Sequence, residues 1–324
     1  MRSRWIGWSI VACAVATAAY GQSARRTRPQ SPVVRVDASA AAPAIAPAPG
    51  PERAEPAPAP GDDLAPLTDD PALARGDVIE GAELKGLVAF TFDDGPNPET
   101  TPRVLEALEQ YDVPATFFVV TRRLVGRLAE KNRQVLARQL AGGFVVASHS
   151  ASHTNLERMP EPAIGREIDE SLRVLGKQAG RPIGLFRPPF GALDERGRAH
   201  VRRRGLTEVK WSIDSLDWRE RDGDRFRERT LAAILKQEGG VVLMHDVREV
   251  TARSLAGLLD DLEAANCRRL AGGGNPILPV SLHYWIRDAG KPRLVPEEVE
   301  QRTIRYYEAL PRRCAARAAG PAKR

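Results

Sequence analysis

Between residues 87 and 282 the chain alternates short apolar runs with longer amphipathic stretches. The runs at 87–92, 115–120, 144–147, 184–186, 208–213, 241–244 and 277–282 have the length of buried strands. After the first of them, residues 101–111 carry Val104, Leu105 and Leu108 at helical spacing. The clearest predicted helix is 251–266, with Thr251 as its cap and Leu255, Leu258, Leu259 and Leu262 on one face. Seven such runs with helices between them predict an α/β fold around a parallel sheet, open or closed into a barrel. Polar residues gather just past the predicted strand ends: Asp93 and Asp94, His149 and His153, Arg187, Asp214 and Asp217, and His245. In parallel α/β folds that edge carries the active site.

The ends of the chain read differently. Arg2 and Arg4 precede sixteen uncharged residues, 5–20, and Ala19-Tyr20-Gly21 then offers a small-residue cleavage site. Residues 1–24 are read as a signal peptide or an N-terminal anchor, which predicts export to the periplasm, cell envelope or medium. Sixteen residues at 1.5 Å each fall short of a hydrocarbon core of about 30 Å, so an anchor would need Gly21 to Ala24 as well. Ile10-Val11-Ala12-Cys13 loosely resembles a lipoprotein cleavage box, although the apolar run continues past Cys13, and a Cys inside a signal helix is the preferred reading. Residues 31–66 hold nine Pro and eleven Ala with no aromatic residue, so 25–82 is assigned to an extended linker of about 3.1 Å per residue. A catalytic domain over 83–290 and a basic C-terminal extension over 291–324 complete the division. The extension has a helix-like stretch at 296–310 and a tail with Arg312, Arg313, Arg317, Lys323 and Arg324, suited to packing on the domain or to touching an anionic polymer.

Composition narrows the class. With 42% hydrophobic and 28% charged residues, the 324-residue chain can build a core and is no disordered polyelectrolyte. One apolar N-terminal stretch excludes a multi-span membrane protein, and three Cys are too few for a disulfide-built scaffold. Export would permit a bond between Cys267 and Cys314, and the spacing leaves that and two free thiols equally open. The net charge of +6 is spread along the chain, favouring anionic surfaces without singling out nucleic acid.

Thr91-Phe92-Asp93-Asp94-Gly95-Pro96 puts adjacent carboxylates at a strand end. Neighbouring strand residues point opposite ways, so the two acids should divide the work, one on a metal and one as a base, unless the turn re-aims one. His149 and His153, at i and i+4, would share a helix face and could ligate one metal, with an Asp from the first strand end as third ligand. Arg187-Pro188-Pro189-Phe190-Gly191 holds a guanidinium in stiff backbone, suited to fixing a carboxylate. Asp214-Ser215-Leu216-Asp217-Trp218 and Val242-Leu243-Met244-His245-Asp246 add acids, an aromatic and a third histidine, whose cationic form a carboxylate would favour.

Taken together and in this order, the five segments resemble the motifs of the NodB-type polysaccharide deacetylases, carbohydrate esterase family 4. The resemblance spans about residues 88–282. It implies a distorted (β/α) barrel of about seven parallel strands, the NodB homology domain, and metal-dependent hydrolysis of acetyl groups on polysaccharides. Carried over by position, Asp93 is the catalytic base, and Asp94, His149 and His153 hold a divalent metal, Zn²⁺ foremost, with Co²⁺, Ni²⁺ or Mn²⁺ as alternatives. Arg187 orients Asp93, and the Phe190 N–H stabilises the oxyanion, although the family often has Tyr there. His245 protonates the departing amine, tuned by Asp217 or by Asp214, while Trp218 and Leu243 wall the acetyl pocket. The expected substrate is an N-acetylated aminosugar polymer, peptidoglycan or chitin-like, acted on by a monomer without a nucleic-acid partner. The alternatives are an O-acetyl esterase on xylan-type polysaccharide and an inactive carbohydrate-binding relative.

Overall fold

The computed structural model describes residues 78–288, 291–292 and 297–319. The expected signal or anchor with Cys13, the linker up to residue 77, and Lys323 and Arg324 lie outside them. In chain order the elements are β1 (Val78–Ile79), β2 (Leu87–Asp93), α1 (Thr101–Gln110), β3 (Ala115–Val119), α2 (Ala129–Ala141), β4 (Val145–Ser148), α3 (Glu161–Ala179) and β5 (Leu185–Phe186). They continue with α4 (Glu195–Arg203), β6 (Thr207–Val209), β7 (Ile213–Asp214), α5 (Gly223–Gln237), β8 (Gly239–His245), α6 (Glu249–Ala271) and β9 (Leu278–Pro279). A short antiparallel pair, β10 (Arg287–Asp288) and β11 (Lys291–Pro292), precedes α7 (Glu297–Ala319).

Among the described residues nine strands form one parallel sheet in the order β1-β6-β5-β4-β3-β2-β8-β7, with β9 on β2. All seven expected strands are present. The excess over seven has two sources: β1 falls within the segment assigned to the linker, and the run 208–213 breaks at Lys210-Trp211-Ser212 into β6 and β7. That break shapes the fold. The two halves of one bent strand sit at distant points of the pairing path, β6 on β5 and β7 on β8, so the sheet must curl into a distorted barrel. The Gly81 carbonyl spans the break, accepting the Val241 N–H at 3.0 Å and the Ser212 hydroxyl at 2.9 Å.

Side chains alternate between two cores. Ala89, Phe118, Val145, Ala147, Leu185, Val209 and Val241 fill the barrel interior. Val88, Phe90, Phe92, Phe117, Val146, Phe186, Val242 and Met244 face outward under the helices, where Leu255, Leu258, Leu259 and Leu262 of α6 meet them. On β2 the inward row runs Ala89, Thr91, Asp93, which aims Asp93 at the barrel mouth. β8 comes so close to β2 that a Cβ on Gly239 would lie 2.0 Å from the Leu87 carbonyl oxygen, so only glycine fits there.

One local expectation changes, and one open alternative is decided. Helix α6 begins at Glu249, two residues before the expected cap, so Thr251 lies inside its first turn with its hydroxyl directed elsewhere. The C-terminal extension is a helix docked on the domain. α7 buries Val299, Tyr306 and Leu310, and Cys314 is disulfide-bonded to Cys267 of α6. The Arg302 guanidinium donates to the Gly142 carbonyl and stacks on Phe144 at 4.2 Å. Arg313 and Arg317 are engaged by Glu263, at 3.1 and 3.2 Å. Among the described residues no helix is long and apolar enough to cross a membrane.

Candidate active site

Strand register assembles the site. Asp93 is paired with His245 across β2–β8, and Ser148 with Phe186 across β4–β5, so His149 and Arg187 leave their strands side by side. Their backbones continue the ladder: Arg187 N donates to the Ser148 carbonyl and His149 N to the Val119 carbonyl, both at 2.9 Å.

Arg187 is wholly buried, and each of its three guanidinium nitrogens donates. Nη1 donates to Asp93 Oδ1 at 2.7 Å and to Thr91 Oγ1 at 2.8 Å, while Nε and Nη2 reach the carbonyls of Val209 and Lys210. The guanidinium lies 4.1 Å from the Phe118 ring centroid. Burial pulls the Arg187 pKa below its ordinary value, and Asp93 opposes that by holding the cation in place. Asp93 is thereby fixed, with Oδ2 turned to within 3.6 Å of His149 Nε2.

Asp94 does not follow the strand alternation. Its φ of 76° lies in the left-handed region and swings its carboxylate toward the histidines, followed by a cis Gly95–Pro96 bond. Asp94 Oδ1 lies 3.0 Å from His153 Nε2 and 3.7 Å from His149 Nε2, yet it accepts no well-formed hydrogen bond from the described residues. Burial penalises its charge, but the imidazoles of His153, His149 and His245 together hold its carboxyl well below the usual carboxylate range. Behind the turn, Asp246 is wholly buried and accepts a 2.5 Å hydrogen bond from Thr101 Oγ1. Burial pushes the Asp246 carboxyl up to about 7.

His149 and His153 do meet, with ring centroids 5.0 Å apart, but no helix brings them together. They leave β4 on an irregular loop in which Ser150 and His153 both take left-handed backbone, at φ 68° and 63°. The i, i+4 spacing therefore named two residues that do lie together, but on a loop and not on the helix face it assumed. Glu167 of α3 ties this loop down, accepting from Ser152 N at 2.8 Å and Ser152 Oγ at 2.7 Å. His149 Nδ1 lies 2.7 Å from the Arg187 carbonyl, which holds a proton on that nitrogen and leaves Nε2 with its lone pair facing the carboxylates. Burial lowers the His149 pKa, which favours this neutral form. The donor atoms of Asp94, His149 and His153 all lie within 4.8 Å of one another. One carboxylate with an orphaned oxygen and two imidazoles fit a divalent cation with coordination positions left over.

Across the mouth, the choice between the two acids of the Asp-x-x-Asp-Trp segment is resolved. Asp217 Oδ1 lies 2.7 Å from His245 Nδ1, and its Oδ2 accepts both the His245 N–H and the Thr251 hydroxyl at 2.6 Å. Burial disfavours the imidazolium, but Asp217, helped by Asp93 and Asp94, outweighs it and pushes His245 up to about 9. Asp214 instead accepts from Leu216 N at 2.8 Å and from Trp218 Nε1 at 3.4 Å, bracing the exposed indole. Phe190, at φ 62°, sets its ring edge-on to His153 at 4.7 Å.

These groups share a cavity of ≈ 430 Å³. Asp93, Asp94, His149, His153 and His245 converge on it, and Phe190, Asp214, Trp218 and Leu243 line it. Arg187 and Asp217 stand behind the lining. Sequence reasoning missed Trp211 and Arg248 in the wall, and Thr91, Glu167, Asp246 and Thr251 in support. Thr91 carried a usable signal, since it shares the inward face of β2 with Asp93. Glu167 and Thr251 carried none, being set by helices that return to the site from elsewhere in the chain.

Comparison with known proteins agrees with this architecture. The family profile described as polysaccharide deacetylase matches residues 80–209. The chain belongs to this family, carbohydrate esterase family 4. A chitooligosaccharide deacetylase of Bradyrhizobium sp. (strain ANU 289) is 36% identical over 160 residues, 49% of this chain and 70% of that protein. Peptidoglycan-N-acetylglucosamine deacetylase PgdA of Listeria monocytogenes is 31% identical over 194 residues, 60% of this chain but 40% of the longer relative. A family 4 carbohydrate esterase from Streptomyces lividans, solved with acetate, superposes with a TM-score of 0.50 at 30% identity, covering 56% of this chain and 89% of that one.

Proposed function

We propose that this domain hydrolyses N-acetyl groups on an aminosugar polysaccharide of the peptidoglycan or chitin type, outside the cytoplasm. The observation that carries the reading is the convergence on one cavity of a carboxylate clamped by Arg187, an Asp-His-His donor set and an imidazole paired with Asp217. A divalent cation held by Asp94, His149 and His153, Zn²⁺ foremost, would supply Lewis-acid polarisation of the acetyl carbonyl. The protein's own groups account for the proton traffic. Asp93, kept in place by Arg187, takes a proton from the attacking water, and the N–H of Phe190 bonds the oxygen on which negative charge develops.

His245 completes the cycle. Its Nδ1 is committed to Asp217, so Nε2 is the nitrogen that delivers a proton to the departing amine. Deacetylation of an amide needs that proton more than cleavage of an ester does, because an amine anion is the poorer leaving group. Trp218 and Leu243 bound the space for the acetyl methyl. The charged N-terminus with its apolar run, and a cross-link between Cys267 and Cys314, support placement in an oxidising compartment. A complete ligand and base set argues against an inactive carbohydrate-binding relative.

The test is acetate release from chito-oligosaccharides and from peptidoglycan by the purified chain, with metal content measured on the same sample. About one divalent ion per chain and chelator-sensitive acetate release are expected. Release from acetylated xylan alone would replace this reading with an O-acetyl esterase.

A further inference from the structure

On the far side of Trp218 the catalytic cavity has a neighbour of ≈ 440 Å³. The two share Trp218 and Arg248, so a chain lying across the indole would enter both. Four arginines line the second cavity: Arg219, Arg221, Arg248 and Arg253. Three acids line it too, and each is already committed. Asp217 serves His245 and Thr251. Glu249 takes both contacts from Arg103 Nη1 at 2.8 Å. Glu220 accepts from the N–H groups of Arg221 and Asp222 and from Arg229 Nη2, at 2.9, 3.0 and 3.2 Å.

The arginines have no such commitment. Arg219 lies over the Trp218 ring at 5.4 Å, Arg253 donates to the Arg221 carbonyl, and none of the four pairs with an acid among the described residues. Four like charges in one concavity repel one another and focus a positive potential on it, which an anion relieves. The guanidinium fork suits a carboxylate through paired N–H donors.

We propose that this cavity is an anion subsite, taking a carboxylate carried by the glycan close to the acetylated sugar while Trp218 supports the sugar between. The proposal rests on the deacetylase reading and narrows its substrate to an acidic aminosugar polymer. The carboxylate has two sources in such a polymer, a lactyl ether on the neighbouring sugar or a peptide attached to it.

The test compares KM and kcat on neutral chito-oligosaccharide, on glycan strands with their peptides removed by amidase, and on strands retaining them. The proteins are the parent, Arg221→Gln, Arg253→Gln, the double variant, and Arg173→Gln. The last removes an equal charge from α3, where Arg173 pairs with Glu170 outside the cleft. On peptide-free strands each subsite variant is expected to raise KM about three- to fivefold relative to its own value on the neutral oligomer, and the double variant about tenfold. kcat is expected to change less than twofold, and added salt should raise the parent's KM on strands alone. Dependence seen only with peptides present assigns the carboxylate to the peptide. Proportional loss on neutral and acidic substrates, or the same change in Arg173→Gln, overturns the subsite. Should no substrate release acetate, the deacetylase reading fails by itself. Equilibrium binding of the strands to parent and double variant then decides the subsite separately, since equal affinities would overturn it.

Discussion

Asp217→Asn replaces one oxygen by nitrogen in a buried network and tests the proton donor directly. Two donors, the His245 N–H and the Thr251 hydroxyl, converge on Oδ2 at 2.6 Å. In the variant they retain the amide oxygen, which turns the NH₂ group toward His245 Nδ1. That nitrogen must then accept, so the neutral imidazole is favoured twice, by the lost charge and by the reversed hydrogen bond. Burial still penalises the cation while Asp93 and Asp94 still favour it, and His245 should fall from about 9 toward its ordinary 6.5. The difference is at most about 2.5 pH units, on the order of 3 kcal/mol. A bound cation opposes the share contributed by Asp94, so the parent's alkaline limb should lie between 6.5 and 9. The assay is kcat/KM for acetate release from a chito-oligosaccharide over pH 5 to 10. At pH 8 a donor at 6.5 is protonated about 30-fold less than one at 9, which is the ceiling of the expected loss.

Stability carries the same sign. A raised His245 stabilises the fold fully below 6.5 and loses that contribution as pH rises through about 9. The gap in unfolding free energy between metal-free parent and Asp217→Asn should therefore shrink with rising pH. An unmoved alkaline limb in Asp217→Asn, or a limb that moves in Asp214→Asn instead, would refute the assignment.

Four further outcomes are expected. His149→Ala and His153→Ala should lose most bound metal and nearly all turnover, read by metal analysis beside acetate release, because each removes one of three protein donors. Asp93→Asn should keep its metal while turnover falls about 10²- to 10⁴-fold, and Asp94→Asn should lose the metal; the opposite pattern means the two acids have exchanged roles. Gly95→Ala puts a Cβ 2.1 Å from Asp246 Oδ2, which should cost about 1–3 kcal/mol in denaturant unfolding and weaken metal affinity by shifting the Asp94 turn. Cys267→Ser opens a cross-link across 47 residues, worth about 4 kcal/mol by loop-closure entropy, and reduction of the parent should lower its thermal midpoint to match.

Hydrophobic periodicity was enough to place seven strands and to show that the chemistry-bearing residues stand at strand ends. This follows because a strand buried on both faces in a parallel sheet must be apolar until it emerges. The motifs then singled out Asp93, Asp94, His149, His153, Arg187 and His245, which the fold gathers at one cavity. Periodicity reports which face a residue takes, and it carries no information on what lies opposite. The pairing of Asp93 with His245 is a matter of register between strands some 150 residues apart. The preference of His245 for Asp217 over Asp214 depends on a left-handed turn at Leu216 and on a hydroxyl from α6. The break of one strand into β6 and β7 answers to the curl of the sheet, and the Cys267–Cys314 bond to the docking of α7 on α6. The arginine-lined cavity joins residues 219–221 to 248–253, two surface segments that in sequence are unremarkable charged stretches. Local pattern set the elements and their polar ends; the partners of those ends are long-range contacts, and only the folded chain selects among them.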